Sequence, residues 1–103
     1  MTKDQLLSKC SEMFDVKRHQ IIGASHLKFI MPARFAMYKA LRERGLSFPQ
    51  IGDFMGGRHH TTIIDGVIVC ERRMAADPDY AEKVNRLIEL ATTKDKPYIP
   101  LAA

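Results

Sequence analysis

The chain has 103 residues, of which 46% are hydrophobic and 27% are charged, a composition that suits one small globular domain and excludes a disordered chain. It is too short for an ATPase module, a Rossmann cofactor domain or a barrel enzyme, and it contains neither a Walker motif nor a G-x-G-x-x-G motif. Sixteen Lys and Arg against twelve Asp and Glu give a net charge of +4, which favours a polyanionic partner.

Helices dominate the predicted secondary structure, because Gly and Pro are sparse and Val and Ile rarely alternate with polar residues. The first helix covers about residues 3–14 and begins with a capping box of Thr2 and Gln5. Asp15 is then a candidate N-cap for a short second helix through Gln20.

A longer third helix is predicted over about residues 29–44, with Gly45 as a natural stop after it. One apolar stripe at helical spacing predicts the side that faces the core; it consists of Phe29, Ala33, Ala36, Met37, Ala40 and Leu41. The opposite face carries the basic residues Arg34, Lys39, Arg42 and Arg44.

Two further helices are separated by a tight turn. Ser47 and Gln50 form a predicted capping box with Pro49 in the first turn, and the pair Gly56-Gly57 ends this short helix. The next helix is predicted from about His59 to about residue 75.

The last helix begins with Asp77 as N-cap and Pro78 as first helical residue. The tail 92–103 contains two prolines and no hydrophobic period, so we expect it to be loosely ordered. We therefore predict one all-α domain over residues 1–91.

Nothing in the sequence indicates a secreted or membrane protein. Cys10 and Cys70 lie in apolar patterns without the close spacing of redox or zinc motifs, so we interpret them as reduced core residues. The N-terminus lacks the apolar core of a signal peptide, and no run of about 18 apolar residues is present. We expect a cytoplasmic, nucleoid-associated chain without membrane contact or cofactor.

Two helices of unequal length around a glycine turn, the second opening with Arg58, His59, His60, Thr61 and Thr62, are typical of a helix-turn-helix DNA reader. At the start of a helix in the major groove, His and Thr side chains can bond to base edges, and a Thr methyl can pack on a thymine methyl. Residues 17–60 contain eight Lys or Arg against two Asp or Glu, an excess that suits a phosphate backbone.

Residues 47–63, SFPQIGDFMGGRHHTTI, resemble the C-terminal DNA-binding domain of the bacterial replication initiator DnaA, whose signature is roughly S-L-P-E-I-G-x-x-F-G-G-R-D-H-T-T-V. Pro32 lies at the spacing of the family's proline, and the resemblance covers about residues 1–91. It implies a TrpR-like fold of six helices that reads the major groove of duplex DNA through the helix beginning near His59. It also implies a preceding basic loop that reaches the minor groove.

Residue by residue, the family's Asp-His-Thr-Thr reading positions fall on His59, His60, Thr61 and Thr62, of which the last three are identical. A histidine at the first position presents a donor where the family's carboxylate only accepts, so we expect a changed base preference. The family's basic loop falls on residues 23–30, where Lys28 and His26 are the basic residues, and the family's Arg-Gln pair falls on Ala33-Arg34.

Our leading hypothesis is a sequence-specific duplex DNA-binding protein without catalysis, which regulates transcription or replication and lacks the ATPase of the initiator. Its partners are duplex DNA and, as further candidates, another copy of itself or RNA polymerase. The predicted DNA-binding residues are Lys28, Arg34, Ser47, Pro49, Arg58, His59, His60, Thr61 and Thr62. For Arg58, a structural hydrogen bond across the turn is an alternative to a phosphate contact.

Two other functions remain open. An interaction module on the same fold could bind the initiator or RNA polymerase through Phe29, Ile30 and Phe48, and the same basic and apolar loop could touch a membrane surface. A zinc site at His59 and His60 is disfavoured, because adjacent helical residues point about 100° apart and no third ligand stands at a suitable spacing.

Overall fold

The computed structural model describes residues 1–93. They form α1 (Lys3–Phe14), α2 (Arg18–Ile22), α3 (Met31–Glu43), α4 (Phe48–Phe54), α5 (His60–Ala76) and α6 (Pro78–Thr92). This part of the chain contains no strand, so the all-α prediction is confirmed. The predicted loose tail lies outside the described residues, except for Thr92, which ends α6, and Thr93.

Three helices begin at the caps that the sequence predicts. The Thr2 hydroxyl accepts from the Gln5 N–H at 3.1 Å, and the Gln5 side chain accepts from the Thr2 N–H at 2.9 Å. Ser47 and Gln50 repeat this capping box at the start of α4, and the Asp77 carboxylate caps α6. Each such cap contributes about 1 kcal/mol, so the chain itself marks where these helices start.

The start of α2 differs from the prediction. Asp15 lies in the left-handed region (φ 54°, ψ 46°), and its N–H donates to the carbonyls of Glu12 and Ser11, so it ends α1 instead of capping α2. Aspartate is one of the few residues that tolerate this conformation at a helix end. As a result, α2 begins two residues later, after Lys17.

The start of α3 also differs, because the helix begins at Met31 and not at Phe29. A helix beginning at Phe29 would need the N–H of residue 32 to donate to the carbonyl of residue 28, and Pro32 has no N–H. Phe29 therefore lies in the preceding turn and is 56% exposed, so its predicted place in the core stripe is wrong.

The core is built around α3, which packs against α1, α5 and α6. The rest of its predicted stripe is fully buried, namely Ala33, Ala36, Met37, Ala40 and Leu41. At Gly66 in α5, a Cβ atom would lie 2.4 Å from the Tyr38 ring, so only glycine permits the observed approach of α3 and α5. This contact fixes the position of α5 relative to the core.

Polar atoms in the core are also paired. The Tyr80 hydroxyl donates to the Pro32 carbonyl at 2.7 Å, and burial raises the pKa of Tyr80. Burial also raises the pKa of the Cys10 thiol to about 12. Cys10 and Cys70 are free and buried, which confirms that both lie in the core. No helix within residues 1–93 is long and apolar enough to cross a membrane.

Candidate nucleic-acid interface

The turn between α4 and α5 is closed by two glycines and one carbonyl. Gly56 and Gly57 have φ angles of 89° and 76°, in the left-handed region that favours glycine. The N–H groups of Gly57 and Arg58 then both donate to the carbonyl of Gly52 at 2.9 Å. This geometry ends α4 sharply and starts α5 a few residues later, as a helix-turn-helix requires.

His59 is the N-cap of α5 and has extended backbone angles. Its Nδ1 accepts from the N–H of Thr61 at 3.2 Å and lies 2.7 Å from the Thr61 hydroxyl. A neutral imidazole nitrogen that accepts a hydrogen bond carries no proton, so the proton lies on Nε2. The exposed ring of His59 therefore presents an N–H donor at its outer edge.

The next three side chains, those of His60, Thr61 and Thr62, are exposed in the first turn of α5. The His60 ring lies 4.3 Å from the His59 ring, and His60 and Thr62 form no side-chain hydrogen bond within the described residues. The first N–H groups of a helix also carry a partial positive charge. The structure thus brings all four predicted reading residues to one accessible helix end.

Arg34 is placed differently from its prediction. The sequence places it on the exposed basic face of α3, yet it is only 1% exposed. Its guanidinium donates at 2.8 Å to each of three carbonyls at the end of α2, those of Gln20, Ile21 and Gly23. The carbonyls that end a helix lack intrahelical donors, and Arg34 supplies them. The prediction of an exposed Arg34 that contacts phosphate is therefore wrong.

Arg58 is half-buried and holds the same segment from the other side. It donates to the Ile22 carbonyl at 2.7 Å and also to the carbonyls of Met55 and Gly23. The alternative of a structural hydrogen bond is thus observed. We call the group formed by Arg34, Arg58 and these five carbonyls the carbonyl joint; its acceptors belong to Gln20, Ile21, Ile22, Gly23 and Met55.

The carbonyl joint also carries charge. Burial and the charge of Arg58 lower the pKa of Arg34, but an arginine remains a cation in a protein. Neither guanidinium is paired with a carboxylate among residues 1–93. Two positive charges therefore lie directly behind the turn that leads into α5.

Most of the other Lys and Arg residues between positions 17 and 60 also form ion pairs, hydrogen bonds or ring contacts inside the molecule. Arg18 pairs with Asp4, and Lys39 pairs with Glu43 at 2.6 Å. The Arg42 guanidinium lies 4.4 Å from the centre of the Phe48 ring. Lys28, by contrast, is exposed and forms no ion pair with any residue in the described part of the chain.

Ser47 and Pro49 are exposed at the first turn of α4, although the Ser47 hydroxyl is engaged in its capping box.

The apolar surface predicted from Phe29, Ile30 and Phe48 does not form. Ile30 is fully buried, and Phe48 is half-buried against the core.

Sequence reasoning missed two exposed apolar residues on α5, Ile68 and Val69, which are 42% and 40% exposed. The buried residues of this helix, Ile63, Val67 and Cys70, define its core side, and both missed residues lie outside that register. Among residues 1–93, no group of three His, Cys, Asp or Glu side chains is placed to hold a metal ion.

Comparison with known proteins identifies similar sequences. The family model described as the bacterial dnaA protein helix-turn-helix matches residues 3–68. Among curated relatives, the chromosomal replication initiator protein DnaA of Jannaschia sp. (strain CCS1) is 36% identical over 88 residues, which are 84% of this chain. The proteins of the same name from Cereibacter sphaeroides (strain ATCC 17029) and Methylacidiphilum infernorum are 35% and 29% identical over 87% and 90% of this chain. The chain spans 18%, 20% and 21% of the length of these three relatives, in the order given.

Proposed function

The chain belongs to the family of the bacterial DnaA helix-turn-helix, a DNA-binding and not a catalytic domain, and from this premise we propose that it binds duplex DNA sequence-specifically. The observation that carries the proposal is the exposed first turn of α5, where a closed glycine turn presents four adjacent polar side chains. Helix-turn-helix proteins place these positions of their second helix against base edges.

Base reading is assigned to His60, Thr61 and Thr62, together with the Nε2 donor of His59. A donor at the cap position selects a base that offers an acceptor in the major groove, such as N7 or O6 of guanine or O4 of thymine. The two Thr residues add hydroxyls for hydrogen bonds and methyl groups for contact with thymine.

Contact with the DNA backbone is assigned to Lys28 and to the first turn of α4 with Ser47 and Pro49, because the first helix of such a pair crosses the backbone. Arg58 contributes from its half-buried position. Together with Arg34 it adds positive potential behind the turn, which attracts phosphates without direct contact. Arg34 itself is a structural residue in this proposal.

We propose that the bound DNA sites control replication or transcription, and that the protein is associated with the nucleoid. Two kinds of target are distinguishable by sequence. Sites that match those of the initiator imply competition with it, whereas unrelated sites imply a regulator with its own targets.

The experiment that tests this function is selection of bound duplexes from a random pool, followed by anisotropy titration of the enriched duplex and a scrambled duplex at several salt concentrations. We expect an enriched sequence that binds at least about 10³-fold more tightly than the scrambled control. Equal affinity for every duplex, with a salt slope near −0.9 for each phosphate contacted, would contradict sequence specificity.

A second candidate function is protein binding through the loop before α3. Leu27 and Phe29 are 55% and 56% exposed there, and apolar side chains this accessible occur at interaction surfaces. The partners to test are purified RNA polymerase and the replication initiator. Binding of either that is lost in Phe29→Ser and kept in His60→Ala would support this function, and absence of binding would contradict it.

A further inference from the structure

Beyond the first turn of α5, the exposed side of the helix carries apolar and charged residues instead of His and Thr. Asp65, Ile68, Val69 and Arg72 are all exposed there, two of them β-branched apolar residues and two of opposite charge. Neither Asp65 nor Arg72 forms an ion pair with another residue in the region 1–93. The carboxylate of Asp65 disfavours a phosphate backbone at this point. The second half of the helix therefore fits a different occupant.

These four residues are arranged symmetrically about the middle of the helix. Asp65 stands three positions before Ile68, and Arg72 stands three positions after Val69. If the helix is followed from its C-terminus to its N-terminus, Arg72 takes the place of Asp65 and Val69 takes the place of Ile68. A second α5 lying antiparallel on the first would therefore place each Asp65 opposite Arg72 of the other copy.

We infer that a second copy of this chain docks on this face of α5. The two-fold axis passes between Ile68 and Val69, and these residues form the apolar centre of the contact. Two equivalent ion pairs between Asp65 and Arg72 flank that centre. Such a contact is isologous, as in most homodimers, because the same patch is used by both copies.

The dimer also regulates DNA binding, a consequence that depends on the proposed function. Thr61, Asp65, Ile68 and Arg72 follow one another at spacings of four, three and four, so they lie on the same side of the helix. Packed helices lie about 8–10 Å apart, whereas two reading helices on one duplex lie about 34 Å apart. The dimer cannot place both copies in successive major grooves, so it competes with the duplex.

One helix face makes a small interface, and small interfaces give weak, reversible association. We therefore expect the monomer at low concentration and the dimer at high concentration. Sedimentation equilibrium of the full chain without DNA, from about 10 µM to about 1 mM, should show an average mass that rises from 11.7 kDa toward twice that value. A constant mass over the whole range would overturn the inference.

Charge exchange tests the antiparallel pairing. Asp65→Arg and Arg72→Asp should each abolish the rise in mass, because each places like charges opposite one another. The double variant carrying both changes should restore it. Glu82→Arg and Arg86→Asp, at exposed positions of α6, make the same changes in net charge and should leave the association unchanged. Failure of the double variant to restore association would contradict the pairing.

Competition with DNA is tested separately, with donor and acceptor dyes on a Thr93→Cys variant, in which Cys10 and Cys70 are buried. At low salt, a mixed-sequence duplex of about 15 base pairs should lower energy transfer between chains as it binds. Unchanged or increased transfer on bound duplex would contradict competition. If this duplex does not bind, the duplex enriched by selection takes its place. If that duplex does not bind either, the proposed function and the competition both fail, while the sedimentation result still decides whether the dimer exists.

Discussion

The carbonyl joint and the first turn of α5 lie next to each other, and both consist of polar side chains at a helix end. In the joint, Arg34 and Arg58 are turned inward and donate to backbone carbonyls. In the first turn of α5, His60 and Thr62 are exposed and form no side-chain hydrogen bond within residues 1–93. The residues with the strongest affinity for phosphate are thus the ones most engaged inside the protein.

The difference follows from what each helix end needs. The C-terminus of α2 offers carbonyls that require donors, and an arginine carries several donors in a fixed planar arrangement. The N-terminus of α5 offers N–H groups, and His59 accepts from one of them with Nδ1. One region is closed by its own hydrogen bonds, and the other keeps donors and acceptors available for a partner.

The largest effect is expected from removing the centre of the carbonyl joint. Arg34→Met leaves the carbonyls of Gln20 and Ile21 without their donor and removes one of the two bonds to the Gly23 carbonyl, which keeps its bond from Arg58. Each unsatisfied buried group costs about 1–3 kcal/mol, so the free energy of unfolding should fall by about 3–5 kcal/mol. Urea unfolding followed by circular dichroism measures this loss.

The matched control is Arg86→Met, since Arg86 is exposed on α6 and its replacement should change stability by less than about 0.5 kcal/mol. If Arg34→Met instead unfolds like the wild type and weakens binding to all duplexes equally, Arg34 contacts phosphate as the sequence alone suggested.

This residue also marks the limit of sequence-based prediction. The caps at Thr2, Ser47 and Asp77 and the glycine turn could be predicted, because each depends on residues within a few positions. Arg34 stands seven positions before Leu41, at the edge of the apolar stripe, and only its charge indicates that it needs polar partners. Those partners lie at the end of α2, which folds over this face, and no local pattern reveals such a contact.

The candidate site also combines residues whose placement could be predicted from the sequence with residues whose placement could not. His59, His60, Thr61 and Thr62 are adjacent in sequence, so their shared position at one helix end could be predicted as soon as the start of α5 was known. The exposure of Phe29 and the burial of Ile30 depend on where α3 begins. Pro32 determines that start, because it lacks the N–H that a helix beginning at Phe29 would need. The proline is visible in the sequence, but the apolar stripe extends the predicted helix past it to Phe29.

The next effect in size concerns the other arginine. Arg58→Met removes donors to the carbonyls of Ile22, Met55 and Gly23, but Gly23 keeps its bond from Arg34 and the site is partly open to water. We expect a loss of about 2–3 kcal/mol in the free energy of unfolding. A double-mutant cycle with Arg34→Met should show non-additivity of about 0.5 kcal/mol or more, since both arginines share the Gly23 carbonyl. Additive losses would show that the joint is not one unit.

A smaller effect on stability, together with an effect on DNA binding, is expected in the first turn of α5. His60→Ala should leave stability within about 0.5 kcal/mol of the wild type, because the side chain is exposed and lies outside the core. Affinity for the selected duplex should fall by about 1–3 kcal/mol, and discrimination should relax at one base pair. Anisotropy titration against single-base variants of the duplex measures both. His19→Ala, at an exposed position of α2, is the control; equal effects of the two changes would contradict a reading role for His60.

A small effect on stability, with the most specific effect on recognition, is expected from His59→Asp. Asp is among the best N-cap residues, so His59→Asp keeps an acceptor for the Thr61 N–H and should change stability by less than about 0.5 kcal/mol, whereas His59→Ala removes the cap and should cost about 1 kcal/mol. The carboxylate, however, replaces the Nε2 donor with acceptors. Repeating the duplex selection with His59→Asp should therefore shift one position from a base with a major-groove acceptor to one with a donor, such as cytosine N4 or adenine N6. An unchanged selected sequence would mean that His59 only caps the helix, because a residue that reads a base cannot exchange donor for acceptor without changing the base it prefers.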